Sequence, residues 1–530
     1  MDSIQYVPMP HTIPLPSTLW ASTSPSTIFL TLTTALICWI VSITIYRLYF
    51  HPLAKYPGPF LNKISSIPAA YQVYAGTQPR VFQSLHNKYG HVFRSGPNEL
   101  SFCGADAWED IYGVQKVGLN FQKDPSWLAV VSPKDGATGV SMAPPEHHTR
   151  QRNALGATFQ NESLLAQESY IKRHVEKFME VLRNCAREDR AIDFSNWFTY
   201  LSFDVIGEVV FGEPFKCLDN DEGATAWARA INDIFQSGAW EQAFGQVVGV
   251  QSWLHRMVNK AFIPEAPKVW RQNHLKQSID KTMRRLKEGE RGHGDIVGHI
   301  LRNNETKKAR LSETELMLNM VQFISAGSET TASLFTGWIF YILSNPSTHK
   351  KVVEEVRSAF SSSEEITWSA VGKLEYLEAT VHEALRLVSP APCNQHRVVS
   401  PGPGKIIDGN YVPPGVTVGV AAWVAERHPD NWTDAESFVP ERWLGAERYV
   451  NDKRHASQPF GLGVRACLGK NLSFFEARLM LASLLWNFDL EFDQSLEARE
   501  ARDRWRRGDM LVWHVWVKPP MLVKMREVVR

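Results

Sequence analysis

The stretch from Ser312 to Pro346 limits the possible folds most sharply. Ser312 and Glu315 stand at capping-box spacing, and the apolar pattern after them, LMLNMVQFISAGSETTASLFTGWIFYIL, meets no breaker before Asn345-Pro346. That is a helix of about 32 residues, roughly 48 Å long. With apolar residues on most of its faces it must run through the interior of a large body, so whatever it carries midway lies near the centre. Apolar residues also recur at helical spacing in Leu164–Cys185, Phe194–Phe211, Ser347–Phe360 and Leu374–Leu387. Strand-like alternation is confined to HVFRSG, KIIDGNYVPPGVTVGVA and MLVWHVWVKPPMLVKMREV. The expected class is mainly α with small β-sheets.

Composition narrows the function. With 44% hydrophobic residues, 18 Trp and 27 Phe in 530 positions, the chain can build an enzyme-sized core. Lys and Arg total 57 against 56 Asp and Glu, so no basic field draws it to nucleic acid. The six cysteines, Cys38, Cys103, Cys185, Cys217, Cys393 and Cys467, form no C-x-x-C pair, which argues against a zinc site or a redox dithiol.

Ile28 to Ile45 is an uncharged run of eighteen residues, which as a helix reaches about 27 Å and nearly matches a bilayer's hydrocarbon thickness. The basic n-region of a secretory signal is missing, since no Lys or Arg precedes Arg47. Arg47, Lys55 and Lys63 follow the run, so the positive-inside rule puts the bulk of the chain in the cytosol. The division expected is residues 1–27 as a lumenal N-terminus, 28–46 as a transmembrane anchor, 47–63 as a proline-rich hinge (Pro52, Pro57, Pro59) and 64–530 as the catalytic domain.

The most specific motif is FGLGVRACLG, Phe460 to Gly469, whose F-x-x-G-x-R-x-C-x-G pattern would arise by chance on the order of once in ten thousand such chains. It suits ligation of a haem iron by the Cys467 thiolate. Such a sulfur needs shielding, backbone N–H groups that moderate its charge, and unobstructed approach to the metal. Gly461 and Gly463 allow the backbone to bulge, Gly469 lets the following helix come close, and Arg465 can pair with a haem propionate. The helical KNLSFFEARLMLASLLWNF comes next, so its N-terminal dipole favours the thiolate. His148 or His396 as axial ligand is the chemical alternative.

From these residues onward the chain resembles the cytochrome P450 family, over nearly everything after Tyr56, and in particular fungal microsomal members of secondary metabolism. AGSETT, Ala326 to Thr331, resembles the family's oxygen-activating sequence, with Glu329 and Thr330 as an acid and a hydroxyl able to deliver protons during dioxygen cleavage. EALR, Glu383 to Arg386, and Arg442 of FVPERW match a buried Glu-Arg-Arg network that holds geometry. The resemblance makes His148, Arg152 and Arg397 further propionate contacts, although His396 stands where Pro is commoner. It draws substrate contacts from Trp127, Phe323, Ile324, Ala326 and Val388.

The resemblance implies the cytochrome P450 fold, haem b (iron protoporphyrin IX) and dioxygen as a co-substrate. No G-x-G-x-x-G lies between a strand and a helix, so NADPH electrons would come through a separate NADPH-cytochrome P450 reductase, with cytochrome b5 as a second donor. The activity implied is hydroxylation or epoxidation of a small lipophilic terpenoid, polyketide or alkaloid at the endoplasmic reticulum membrane. A haem-thiolate isomerase or dehydratase, or a non-catalytic haem-binding protein, are the rival readings.

Overall fold

In a computed structural model of the chain, residues 24–115, 120–129, 136–219, 221–289, 294–306 and 310–529 are described. The expected lumenal segment lies almost wholly outside them. The chain divides into two units, Met1–Lys55 and Tyr56–Arg530.

In the first unit, Pro25–Ile45 is α-helical and continues as a π-helical turn over Tyr46–Phe50. Pro25 suits the first helical position, where its missing N–H costs nothing, and Ser24 caps the end by accepting the Thr27 N–H at 3.3 Å. His51 is extended ahead of Pro52, as the residue before a proline prefers, and the helix stops there. Pro25–Phe50 has a mean hydropathy of 2.3 over its most apolar window and is long and apolar enough to cross a membrane.

The second unit is built around the helix Glu313–Ser344. Both capping-box hydrogen bonds form: Glu315 N–H donates to Ser312 Oγ at 3.1 Å, and Ser312 N–H donates to Glu315 Oε2 at 2.9 Å. Asn345 leaves helical geometry ahead of Pro346. This helix packs along Phe194–Phe211, another helix buried on nearly every face, with Phe198 edge-on to Phe335 at 5.3 Å. Gly327 permits the close approach, since a Cβ there would come within 2.7 Å of Ile206 Cδ1.

The helical readings hold at Phe194–Phe211 and, within a residue or so, at Pro346–Ala359 and Glu375–Leu387. The Leu164–Cys185 pattern is divided into Asn161–Leu165 and Glu168–Arg187, because Gln167 turns inward and donates to Gly294 O at 3.0 Å.

The sheets are small. Five strands pair in the spatial order Val92–Gly96, Glu99–Phe102, Thr417–Val420, Arg397–Val398 and Gln122–Lys123. Ile192–Asp193, Leu522–Glu527 and Phe488–Phe492 make a second sheet, and Lys405–Ile407 with Asn410–Val412 a hairpin. The last hairpin, Val512–Trp513 with Val515–Trp516, turns on His514.

Candidate haem-thiolate site

Cys467 lies between a 3-10 turn, Gly463–Arg465, and the helix Lys470–Asn487, for which Gly469 is the N-cap. Its N–H donates to Phe460 O at 2.7 Å, closing the segment into a loop, and Phe460 packs on Phe474 at 5.2 Å. Gly461 and Gly463 have φ of 66° and 72°, left-handed values that cost other residues energy. At Gly463 the restriction is absolute, because a Cβ would overlap Tyr112 O at 1.9 Å. Gly469 is the sulfur's neighbour: a Cβ there would stand 3.9 Å from Cys467 Sγ.

The Cys467 side chain is exposed to the open space before it, yet desolvation by the protein packed around it raises its thiol pKa, and the Gly469 N–H, Arg152 and Lys470 oppose that rise. The sulfur opens into a cavity of about 220 Å³. Ala326, Gly327, Thr330 and Thr331 of the long helix line it, as do Phe323, His148, Arg152 and Arg465.

The charge around this cavity supplies a test for haem. Arg152 donates to Ala466 O at 2.7 Å, Arg465 to Ser141 O at 3.1 Å and Ala143 O at 2.7 Å, and Arg397 to His396 O at 3.1 Å with its cation 5.0 Å from the Tyr112 ring centroid. Lys123 joins them. Burial, then Arg397 and Arg465, hold its ammonium well below the usual lysine range, and burial with Arg397 and Arg152 brings Arg465 down to about 10. His148 is pushed down to about 4 by burial and then by these four cations, so it is neutral at pH 7. Among the described residues none of the four cations is ion-paired to a carboxylate. A group bringing two carboxylates beside a ligatable iron is what this arrangement lacks, and haem b has that composition. Arg397 is not on the cavity wall itself, though it acts on the same electrostatic cluster.

The expected pair Glu329 and Thr330 is divided by the helix. Thr330 lines the cavity, its hydroxyl bonding back to Ala326 O at 2.5 Å, a contact that loosens the helical ladder at that turn. Successive helical residues point about 100° apart, and Glu329 turns away from the cavity. Its carboxylate is ion-paired with Lys518, and Thr199 donates to it at 3.4 Å. The spacing of acid and hydroxyl therefore does not put both on one surface.

Glu383 does meet both arginines. Arg386 makes a bidentate pair with it at 2.9 and 2.8 Å, and Arg442 donates at 3.0 Å, with all three side chains fully buried. Trp443 Nε1 adds a bond at 2.9 Å, and Asp452, unforeseen in the sequence, pairs with Arg442. Four formal charges thus balance two and two.

The substrate expectations separate too. Phe323 and Ala326 are on the cavity wall, whereas Ile324 and Val388 are packed into the hydrophobic core and are not. Trp127 lines a different cavity, with His396 and His514. Residues 130–135, shortly after Trp127, are outside the described ones.

Sequence reasoning missed Lys123, Lys518 and Glu476. Glu476, on the cavity wall, is pushed up to about 8 by burial alone. Its place in FFEARLM, an acid with Leu472, Leu479 and Met480 at i−4, i+3 and i+4, was an available signal. Lys123 stands in the two-residue strand Gln122–Lys123 and Lys518 in the connection between Val515–Trp516 and Leu522–Glu527, neither with a recognisable spacing to its partners.

The cytochrome P450 family model matches residues 58–513. Cytochrome P450 monooxygenase aba2 of Botryotinia fuckeliana (strain B05.10) is 49% identical over 513 residues, covering 96% of this chain and 96% of its own length. Cytochrome P450 monooxygenase ABA2 of Pyricularia oryzae (strain 70-15) is 47% identical over 498 residues, 93% of this chain and 95% of its own. Cytochrome P450 monooxygenase astA of Talaromyces wortmannii is 35% identical over 500 residues, 94% and 97% respectively.

Proposed function

The chain belongs to the cytochrome P450 family and is a monooxygenase of that family, and from that premise we propose that it oxidises a small lipophilic secondary metabolite at the cytosolic face of the endoplasmic reticulum. In this reading Cys467 would ligate the haem iron, and Arg152, Arg465 and Lys123, with Arg397 in the same electrostatic cluster, would hold the propionates, with His148 beside them as a neutral donor. Bound there, haem supplies dioxygen activation with electrons from a separate NADPH-dependent reductase, cytochrome b5 serving as a second donor.

The chain's own residues do the rest. Gly469 keeps a side chain away from the sulfur, and Gly463 lets the loop close against the Tyr112 carbonyl. Ala326 and Gly327 leave room on the long helix, and Thr330 Oγ1, held on Ala326 O, presents a hydroxyl through which a proton can pass into the cavity. Glu329 stands behind that wall, and Lys518 must release its carboxylate before it can reach Thr330. Phe323, Phe159 and Leu472 exclude water and favour an apolar substrate. The apolar helix Pro25–Ile45, with Arg47, Lys55 and Lys63 after it, supports a single-pass anchor with a cytosolic body.

The observation that carries the reading is the Cys467 sulfur opening into a cavity ringed by unbalanced cations. The ferrous carbon monoxide complex of the purified protein should show the red-shifted Soret band of thiolate ligation, and Cys467→Ser should lose it. A normal, unshifted band in the wild type would end the assignment. Incubation with reductase, NADPH and candidate terpenoids or polyketides, followed by mass spectrometry for one added oxygen, then tests the substrate class.

A further inference from the structure

His91, His428 and Asp430 come together away from the cavity walls described above, although 339 positions separate His91 from Asp430. One ring nitrogen of each histidine and one carboxylate oxygen of Asp430 all lie within 4.8 Å of one another. His91 Nε2 is 2.7 Å from Asp430 Oδ2, His428 Nδ1 is 3.7 Å from the same oxygen, and the two imidazoles stand edge to face with centroids 4.8 Å apart. Donor atoms around a tetrahedral zinc ion sit about 3.3 Å apart, so small shifts close the three on one ion. Asp430, the exposed member, can make that adjustment by rotating its side chain.

The backbone holds these donors together before any ion arrives. His91 directly precedes the strand Val92–Gly96, and its carbonyl accepts the Cys103 N–H at 3.0 Å. His428 and Asp430 belong to the turn after the short helix Ala422–Ala425, where the Asn431 and Trp432 N–H groups both donate to His428 O. Asn431 Nδ2 then reaches Cys103 O at 2.9 Å, so both arms are fastened to the same residue. Behind His91 stands a further carboxylate: its Nδ1 is 3.9 Å from Asp408 Oδ2, while its Nε2 faces Asp430. Metal-ligating histidines commonly keep such an acid on the second nitrogen, which fixes the ring and raises its basicity. Asp408 is placed in turn by its N–H bond to Asp110 Oδ2 at 2.9 Å, and Asp106 and Asp110 add negative charge around it, opposed by Lys453. Burial and then His91 lower the pKa of His428, so its imidazole is neutral at pH 7 with a lone pair to give. The nearby His86 is not a fourth donor, because its two nitrogens are taken by Gly90 O and Ser101 Oγ.

We propose that His91, His428 and Asp430 bind a divalent cation of the zinc class, with water in the fourth position and Asp408 bracing His91 from behind. Two imidazoles with one carboxylate suit zinc, whereas magnesium and calcium take oxygen ligands. Loading replaces the hydrogen bond between His91 and Asp430 and the Asp430 N–H contact to His428 Nδ1 at 3.2 Å, so the affinity is moderate. The ion clips the entry of the strand Val92–Gly96 to the turn beyond Ala422–Ala425, two stretches far apart in the chain. The site is independent of the haem-thiolate reading.

The test uses the full-length haem-loaded protein without a histidine tag, stripped with a chelator, and zinc ion alone as the probe. Competition against a zinc-sensitive dye should show one equivalent bound by the wild type. His91→Ala and His428→Ala should each weaken that binding by more than about 10-fold, and Asp408→Asn by about 10-fold. Zinc should also raise the thermal midpoint of the wild type and leave that of His428→Ala where it was. The thiolate carbon monoxide band shows that each variant is folded and loaded; should a histidine variant lose it, Asp430→Asn, an exposed change, carries the same comparison. Uptake of less than one equivalent by a wild type showing that band would overturn the site. Uptake that the ligand variants leave unchanged would overturn it too, since the ion then sits elsewhere. Displacement of zinc by an equal concentration of magnesium or calcium would overturn the imidazole ligation.

Discussion

Lys518 and Glu329 form an ion pair inside the body, with side-chain exposures of 6% and 1%, although 189 positions separate them in the chain. The pair ties the C-terminal segment to the middle of the long helix, one residue from the hydroxyl that faces the cavity. Removing one partner leaves a buried charge uncompensated, which costs about 3–5 kcal/mol. Lys518→Met should therefore lower the thermal midpoint strongly, and adding Glu329→Gln should recover most of the loss. Destabilisations that simply add in the double variant would show that the two groups are not coupled.

The cation cluster leads to a prediction about haem retention. Arg465→Leu and Lys123→Met each remove one charge-assisted partner, worth about 1.5–3 kcal/mol. Transfer of haem to excess apomyoglobin should accelerate by about 10-fold or more in each variant. Lys88→Met, a surface change remote from the cluster, should leave the transfer rate as it is.

Acid stability follows from two histidines outside the cavity. His86, bonded to Gly90 O at 2.9 Å and Ser101 Oγ at 3.0 Å, and His274 are both pushed down to about 4, by burial first. A histidine that resists protonation in the folded state gives its full stabilisation above the unfolded value near 6.5 and loses it as pH falls towards 4. Each should contribute up to roughly 3 kcal/mol of that loss. Denaturant midpoints measured between pH 7 and 4 should fall steeply, and His86→Gln should flatten part of the slope.

The Glu383 network should behave unlike the surface pairs. Glu383→Gln leaves two fully buried guanidiniums with Asp452 as their remaining carboxylate, an expected cost of about 3–5 kcal/mol, seen as loss of soluble haem-loaded protein. Lys351 pairs with Glu441 at 2.7 Å but is 56% exposed. Lys351→Met should cost less than about 1 kcal/mol in the same assay.

Features carried by a few adjacent residues were legible before any fold was known. The capping box of Ser312 and Glu315 set the start of the long helix and Pro346 its end, because caps and breakers act over one turn. FGLGVRACLG specified a left-handed glycine pair, a cysteine and a helix N-terminus within ten residues. His148 and Arg152 share a cavity wall because four helical residues bring a side chain back to the same face. Tertiary structure alone decided which way Glu329 turned, since its partner Lys518 arrives from the far end of the chain. It alone placed Lys123 among the arginines and brought His91 against His428 and Asp430. Periodicity reports the face on which a residue lies, but a buried polar group is defined by what stands opposite it, and that depends on contacts the chain makes with itself only after folding.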